Sequence, residues 1–189
     1  ALPVRGPAPL AEMLSRFARG IGAVRSGDTA QARAEVARLV EIEARLSGAG
    51  GYDWSRIAGI KRQALGAWLA LAACDTAAAL RDARAAADLE DVTEKHPVTP
   101  GELLPARELE GDMLLAVGRY AEAGRVYRSA LEREPGRARS VFGAARAAEL
   151  MGDLAAAREG YRTFLTLMEK ADGDRAEIAM ARKAVASRE

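Results

Sequence analysis

Short turn signals interrupt Ala- and Leu-rich stretches along the chain, and this punctuation constrains the fold more than any other feature. The signals are Ser26-Gly27-Asp28, Cys74-Asp75, Gly118-Arg119 and Gly152-Asp153. A glycine after a helix supplies a left-handed turn, and an aspartate beside it can cap the helix that follows. These positions therefore predict tight turns inside helical hairpins.

The composition favours an all-α fold. Aromatic residues make up only 5% of the 189 residues, and no stretch shows the period of two that is typical of a strand. Nor does any apolar run approach the roughly 18 residues that cross a bilayer. The 28 Lys and Arg balance the 27 Asp and Glu, so no long-range field favours an anionic partner. We therefore expect no nucleic-acid partner and no membrane insertion.

Residues 105–135, PARELEGDMLLAVGRYAEAGRVYRSALEREP, carry the clearest ordered pattern of small and large residues. Its members are Gly111, Gly118, Tyr120, Ala123, Tyr127, Ala130 and Pro135. The pattern resembles the tetratricopeptide repeat, a helix-turn-helix of about 34 residues. The resemblance implies that Gly111 lies where the two helices cross closely, with Ala123 facing it across the hairpin.

The next segment repeats the pattern in the same register. The matching residues are Ala145, Gly152, Leu154, Ala157, Tyr161 and Phe164. Phe164 is a large residue at a small position and no proline closes the unit, which suits a last repeat. The segment 174–187 then predicts a capping helix, because it places apolar residues on one face. These residues are Ile178, Ala181, Ala184 and Val185.

The match to the repeat is weaker in the first half of the chain, because the turns lie further apart there than the repeat length allows. The extra residues lie in two connections, 47–52 and 92–101. We predict a right-handed α-α superhelix, or solenoid, that forms one array over residues 8–188. Its parts are hairpins at about 10–47, 53–92, 102–135 and 138–170, and a capping helix at 174–187.

The resemblance implies a concave groove that is lined by the exposed positions of the first helices. In the two clear repeats these are Glu108, Asp112, Leu115, Phe142, Arg146 and Glu149. In the second hairpin they would be Lys61, Ala64, Trp68 and Leu71. An aromatic side chain in a groove is costly unless it is covered, which favours Phe142 and Trp68 as partner contacts, although a core position for Trp68 is the stronger alternative. The mixed charges suit a basic or zwitterionic peptide.

Few residues offer catalytic or metal chemistry. His96 is the only histidine and lies before Pro97 in a connection, where a surface loop residue is the ordinary interpretation. Cys74 is the only cysteine, and its apolar surroundings predict buried packing. Phosphate-binding loops, CxxC, HExxH and GxSxG are absent from the sequence. We therefore predict no catalytic residue, no metal and no cofactor.

Three functions remain open on the sequence alone. The first is a non-enzymatic scaffold that binds a peptide or partner protein in the groove. The second is a structural or assembly arm of a larger protein or homo-oligomer, and the third is a metal-binding or enzymatic domain around His96. Because the chain starts at Ala1, we expect a fragment or a mature form. The compartment stays open between the cytoplasm and export after leader removal, as do the oligomeric state and whether the 92–101 loop covers the groove.

Overall fold

The computed structural model describes residues 9–48, 51–96, 102–171 and 175–187, and all of their regular secondary structure is helical. The helices are α1 (Pro9–Arg25), α2 (Thr29–Leu46), α3 (Trp54–Ala72), α4 (Thr76–Asp91), α5 (Ala106–Ala116), α6 (Tyr120–Arg133), α7 (Ala138–Leu150), α8 (Leu154–Leu167) and α9 (Ala176–Ala186). The predicted all-α class is confirmed.

The chain divides into two compact units, Ala1–Ala106 and Arg107–Glu189. In the first unit α1 packs on α2, α2 on α3 and α3 on α4, and α1 also contacts α3. In the second unit α6 packs on α7, α7 on α8 and α8 on α9. Helices thus pack against their neighbours along the chain, as stacked hairpins of a solenoid do. The prediction of one continuous array over both units stays a prediction.

The turns inside the hairpins adopt the predicted left-handed backbone. The φ angle is +88° at Gly27, +64° at Cys74, +79° at Gly118 and +83° at Gly152. Three of the turns also show the predicted aspartate cap. In each cap a carboxylate oxygen accepts from the backbone N–H three residues on, at 2.9–3.0 Å; the capping residues are Asp28, Asp75 and Asp153. Arg119 takes this place in the third turn and makes no side-chain cap.

The first unit buries apolar residues from all four of its helices, such as Phe17, Leu39, Leu65 and Ala86. It also buries the carboxylate of Glu35, because three α1 and α2 side chains reach it. The Arg16 and Arg19 guanidinium groups lie 3.3 and 3.2 Å from its oxygens, and the Gln31 amide donates to it at 2.6 Å. Charge-assisted bonds of this kind offset the cost of burying a carboxylate.

The expectation of a buried Cys74 is wrong. Its side chain is exposed, since the residue forms the left-handed turn between α3 and α4 instead of extending the apolar face of α3. A side chain with a Cβ costs about 1–2 kcal/mol in this conformation, a cost that glycine does not carry.

Cys74→Gly is expected to raise the free energy of unfolding by about 1 kcal/mol, because it removes this conformational cost at an exposed position. Urea unfolding would measure the change. Cys74→Ala is the matched control, since it removes the thiol but keeps the Cβ, and it should leave stability nearly unchanged. Equal stability of the two variants would contradict the turn argument.

Candidate functional site

The Tyr127 ring lies against both α5 and α7, each of which is the first helix of a hairpin in the second unit. Tyr127 lies on α6 and its side chain is 1% exposed. A Cβ atom built on Gly111 of α5 would lie 2.7 Å from the ring, and one built on Gly143 of α7 would overlap the ring more closely still. Each helix therefore approaches the ring at a glycine, where no side chain separates the backbone from the ring. The resemblance implies Ala123 opposite Gly111, but the atoms nearest to a Cβ placed on Gly111 belong to Tyr127.

The carboxylate of Asp112 on α5 adds polar contacts between the same three helices. The Tyr127 hydroxyl donates to Asp112 Oδ1 at 2.7 Å, and the Arg139 guanidinium of α7 pairs with Oδ2. Burial, with the charge of Asp112, raises the pKa of the Tyr127 hydroxyl well above its usual range, so the hydroxyl keeps its proton. Asp112 is partly exposed and held in place by side chains from two other helices.

The predicted groove position Glu108 is wrong, because its side chain is 0% exposed. The Nε and Nη2 atoms of Arg137 donate to the two carboxylate oxygens of Glu108, at 3.0 and 3.1 Å. The Ser140 hydroxyl also donates to this carboxylate, at 2.6 Å. The hydrogen bond to Glu108 is also the main cause that raises the pKa of Arg137. Glu108 therefore fastens α5 to the start of α7 and is not available to a partner.

Arg146 and Glu149 lie on α7, with side chains 33% and 28% exposed. Arg146 donates to Glu149 Oε2 at 2.6 Å, and the Tyr161 hydroxyl of α8 donates to the same oxygen at 2.5 Å. Burial alone would raise the pKa of Glu149, but these hydrogen bonds outweigh it and hold that pKa below its usual value. Both repeats thus bond a second-helix tyrosine to a first-helix carboxylate.

Phe142 and Leu115 are partly buried. The Phe142 ring centroid lies 5.6 Å from that of Tyr161 and 5.1 Å from that of Phe164, so its own unit covers much of the ring. Ile178 of α9 belongs to the same apolar cluster. Phe142 is consequently a core contact of the last hairpin as well as a predicted groove residue.

In the first unit, two predicted groove residues are buried. Lys61 is only 3% exposed and pairs with Glu102, while its ammonium lies 5.0 Å from the centre of the Phe17 ring. Ala64 is also buried, which makes its predicted exposure wrong as well. These two α3 positions therefore do not line an open groove.

Trp68 and Leu71, the other predicted positions on α3, are partly buried. The Arg25 guanidinium lies over the Trp68 ring, 5.5 Å from its centre. Trp68 is thus covered by a cation from the same unit, and no residue in the described ranges accepts a hydrogen bond from its buried indole N–H.

His96 belongs to an aromatic cluster. Its ring centroid lies 5.2 Å from that of Tyr52 and 5.1 Å from that of Trp54, and the Tyr52 hydroxyl donates to the Glu94 carbonyl at 2.5 Å. Within the described ranges, no three His, Cys, Asp or Glu side chains come together in a way that could hold a metal ion. Residues 97–101 of the predicted covering loop lie outside the described residues.

A family model described as a tetratricopeptide repeat matches residues 114–185. Over these residues the chain is similar to the tetratricopeptide repeat family. The match runs from the end of α5 through α9, so it includes Tyr127, Arg146, Glu149 and Tyr161, and it confirms the resemblance drawn from this part of the sequence. A search among curated proteins returned no match. None of the helices in the described ranges has the length and apolarity needed to cross a membrane.

Asp112, Leu115, Arg139, Arg146 and Glu149 form what we call the first-helix face: partly exposed residues of α5 and α7 in the second unit. Its polar members are already joined in two groups, Asp112 with Arg139 and Arg146 with Glu149. Sequence reasoning missed Arg139. Its position one turn before Phe142 on the same helix was the available signal.

Tyr127→Phe is expected to lower the free energy of unfolding by about 1–3 kcal/mol, because it removes a partly buried hydrogen bond to a charged acceptor. Chemical denaturation would measure the loss. Tyr120→Phe, at the start of the same helix, is the matched control and should change stability by less than about 0.5 kcal/mol. If both variants were equally stable, the Tyr127–Asp112 bond would not hold the hairpin.

Proposed function

We propose that the chain is a non-enzymatic scaffold and that it binds an extended peptide, or a segment of a partner protein, across the first-helix face. Tetratricopeptide repeats are generally modules for protein–protein interaction. The observation that carries the proposal is the set of partly exposed, oppositely charged side chains that stand on two adjoining helices with their positions fixed by buried tyrosines.

Rigidity of these side chains favours recognition. The hydroxyl of the buried Tyr127 donates a hydrogen bond to Asp112, and the hydroxyl of the buried Tyr161 donates one to Glu149. A carboxylate that is already oriented loses little further side-chain freedom when a partner binds. The face therefore presents a fixed pattern of charge instead of a set of freely rotating side chains.

The charge pattern indicates the chemistry of the partner. Asp112 and Arg139 lie side by side, as do Arg146 and Glu149, so each carboxylate has a guanidinium next to it. A peptide that carries both charge signs could add to each pair without leaving a like charge opposite it, whereas a uniformly acidic or basic partner would meet repulsion at alternate positions. Phe142 and Leu115 add partly exposed apolar surface beside these pairs.

Arg146→Glu is expected to weaken peptide binding at least about tenfold, because it places two carboxylates where the wild type presents a pair of opposite charges. Peptides of extended, mixed-charge sequence would be selected on the wild-type chain from a displayed library and their dissociation constants measured by fluorescence anisotropy. Arg162→Glu, an exposed position on α8, is the matched control and should bind as the wild type does.

The outcome that contradicts the proposal is equal binding by Arg146→Glu and Arg162→Glu. Thermal unfolding of each variant would separate a loss of the face from a loss of the fold, because Arg146→Glu must retain a cooperative transition for its affinity to be interpreted.

Light scattering on the isolated chain distinguishes this scaffold from the alternative of a self-assembling arm. The scaffold proposal expects a monomer at micromolar concentration, since its binding face is filled by a different molecule. A stable oligomer that dissociates on Arg146→Glu would instead favour self-assembly through the same face.

A further inference from the structure

Arg139 reaches Asp112 from further back along α7 than the packing of the two helices requires. Helices α5 and α7 run in the same direction, because α6 returns between them. Their register is set by a short contact, since the Ser140 hydroxyl bonds to Glu108 over a separation of 32 positions in the sequence. Arg139 and Asp112 are only 27 positions apart. Arg139 therefore starts about 7.5 Å before the level of Asp112, and its side chain must extend along the helix to reach the carboxylate.

This extended arrangement leaves one donor of Arg139 unsatisfied. Its Nε–H is buried, and no atom of the described residues accepts a hydrogen bond from it. A buried donor in this position has lost its bonds to water without gaining another acceptor, which is unfavourable. Arg146, the other arginine of the first-helix face, has no such nitrogen within the described ranges. Holding Arg139 against Asp112 therefore has a cost that the Arg146–Glu149 pair does not carry.

The carboxylate of Asp112 stays oriented whether or not Arg139 remains beside it. The Tyr127 hydroxyl donates to Oδ1 at 2.7 Å, whereas Arg139 pairs with Oδ2. Arg139 can thus leave while the tyrosine still holds the carboxylate. The guanidinium lies on the outside of the pair, because the Arg139 side chain is 38% exposed and that of Asp112 only 15%. A carboxylate that loses its cation in so shielded a place attracts another cation.

We propose that Arg139 stands in for a basic side chain of the partner, so that Asp112 is a subsite for lysine or arginine that Arg139 occupies in the free chain. This inference rests on the proposed function, since it assigns the chemistry of one position of the bound peptide. The partner's cation takes Oδ2, and Arg139 moves into water, where its Nε–H finds an acceptor. The number of ion pairs stays the same while one buried donor becomes satisfied.

A stand-in of this kind competes with the partner. While Arg139 covers Asp112, only the fraction of molecules in which it has moved away can bind the basic residue of the peptide. The apparent affinity is lowered by that fraction. Removal of the Arg139 guanidinium should therefore strengthen binding, which is the opposite of the loss expected for an ordinary contact residue.

Arg139→Met tests the competition. Its affinity for a mixed-charge peptide selected on the wild-type chain should rise at least about fivefold, as measured by fluorescence anisotropy. Arg162→Met, at an exposed position of α8, is the matched control and should bind as the wild type does. Unchanged or weaker binding by an Arg139→Met variant that keeps a cooperative thermal transition would overturn the inference.

A cycle of substitutions locates the basic residue of the peptide at Asp112. Each lysine or arginine of the selected peptide would be replaced in turn by glutamine, and one replacement should weaken binding to the wild type at least about tenfold. In Asp112→Asn the same replacement should change the affinity less than about twofold, because the carboxylate that met the basic residue is gone. Equal losses in the wild type and in Asp112→Asn for every replacement would also overturn the inference.

The Nε–H resonance of Arg139 reports the exchange in the wild type and needs no folded variant. Burial should slow the exchange of this proton with water in the free chain. Binding of the selected peptide should make the exchange at least about tenfold faster, as measured by NMR, because the side chain moves into water. A resonance that stays equally protected in the complex would contradict the stand-in role.

The results also separate this inference from the proposed function. If Arg146→Glu weakens binding while Arg139→Met and the peptide cycle show no effect, the face binds a peptide but Asp112 is not its basic subsite. If Arg146→Glu and Arg162→Glu bind equally, the proposed function itself fails, and the subsite fails with it.

Discussion

The second unit depends on the close approach of two helices to one aromatic ring. Tyr127 touches the backbone of α5 at Gly111 and of α7 at Gly143, and either position would collide with the ring if it carried a side chain. Dispersion contacts between the ring and the two helices, and the displacement of water from the ring, stabilise this arrangement. Because the ring is shared, α5 and α7 cannot separate without exposing it.

The polar contacts of the unit build on this junction. The hydroxyl of Tyr127 reaches Asp112, and the buried Glu108 is held by Arg137 and Ser140 from the next hairpin. Some carboxylates of the first helices thus fasten hairpins together, while others stay partly exposed with an oriented charge. In the proposed scaffold, the buried Glu108 would fix the spacing at which the partly exposed carboxylates meet a partner.

The sequence predicts the features that depend on near neighbours. The left-handed turns and their aspartate caps involve residues within four positions of each other. The sequence placed Ala123 opposite Gly111, whereas the ring of Tyr127 lies nearest to a Cβ built there. Contacts between distant segments escape prediction. Glu108 is predicted to be exposed because nothing near it in the sequence indicates that Arg137 covers it. The same holds for Lys61, whose partner Glu102 comes from a distant segment. The expectation for Cys74 fails for a different reason, since backbone geometry at its turn outweighs its apolar neighbours.

The central claim is that the first-helix face of the second unit is the binding surface. Backbone amide shifts of the full chain, recorded by NMR with and without a selected peptide of mixed charge, test it most directly. The claim predicts that the perturbed amides lie on α5 and α7, around Asp112, Leu115, Arg146 and Glu149. Perturbations confined to the outer surfaces of α6 and α8, with α5 and α7 unchanged, would contradict it.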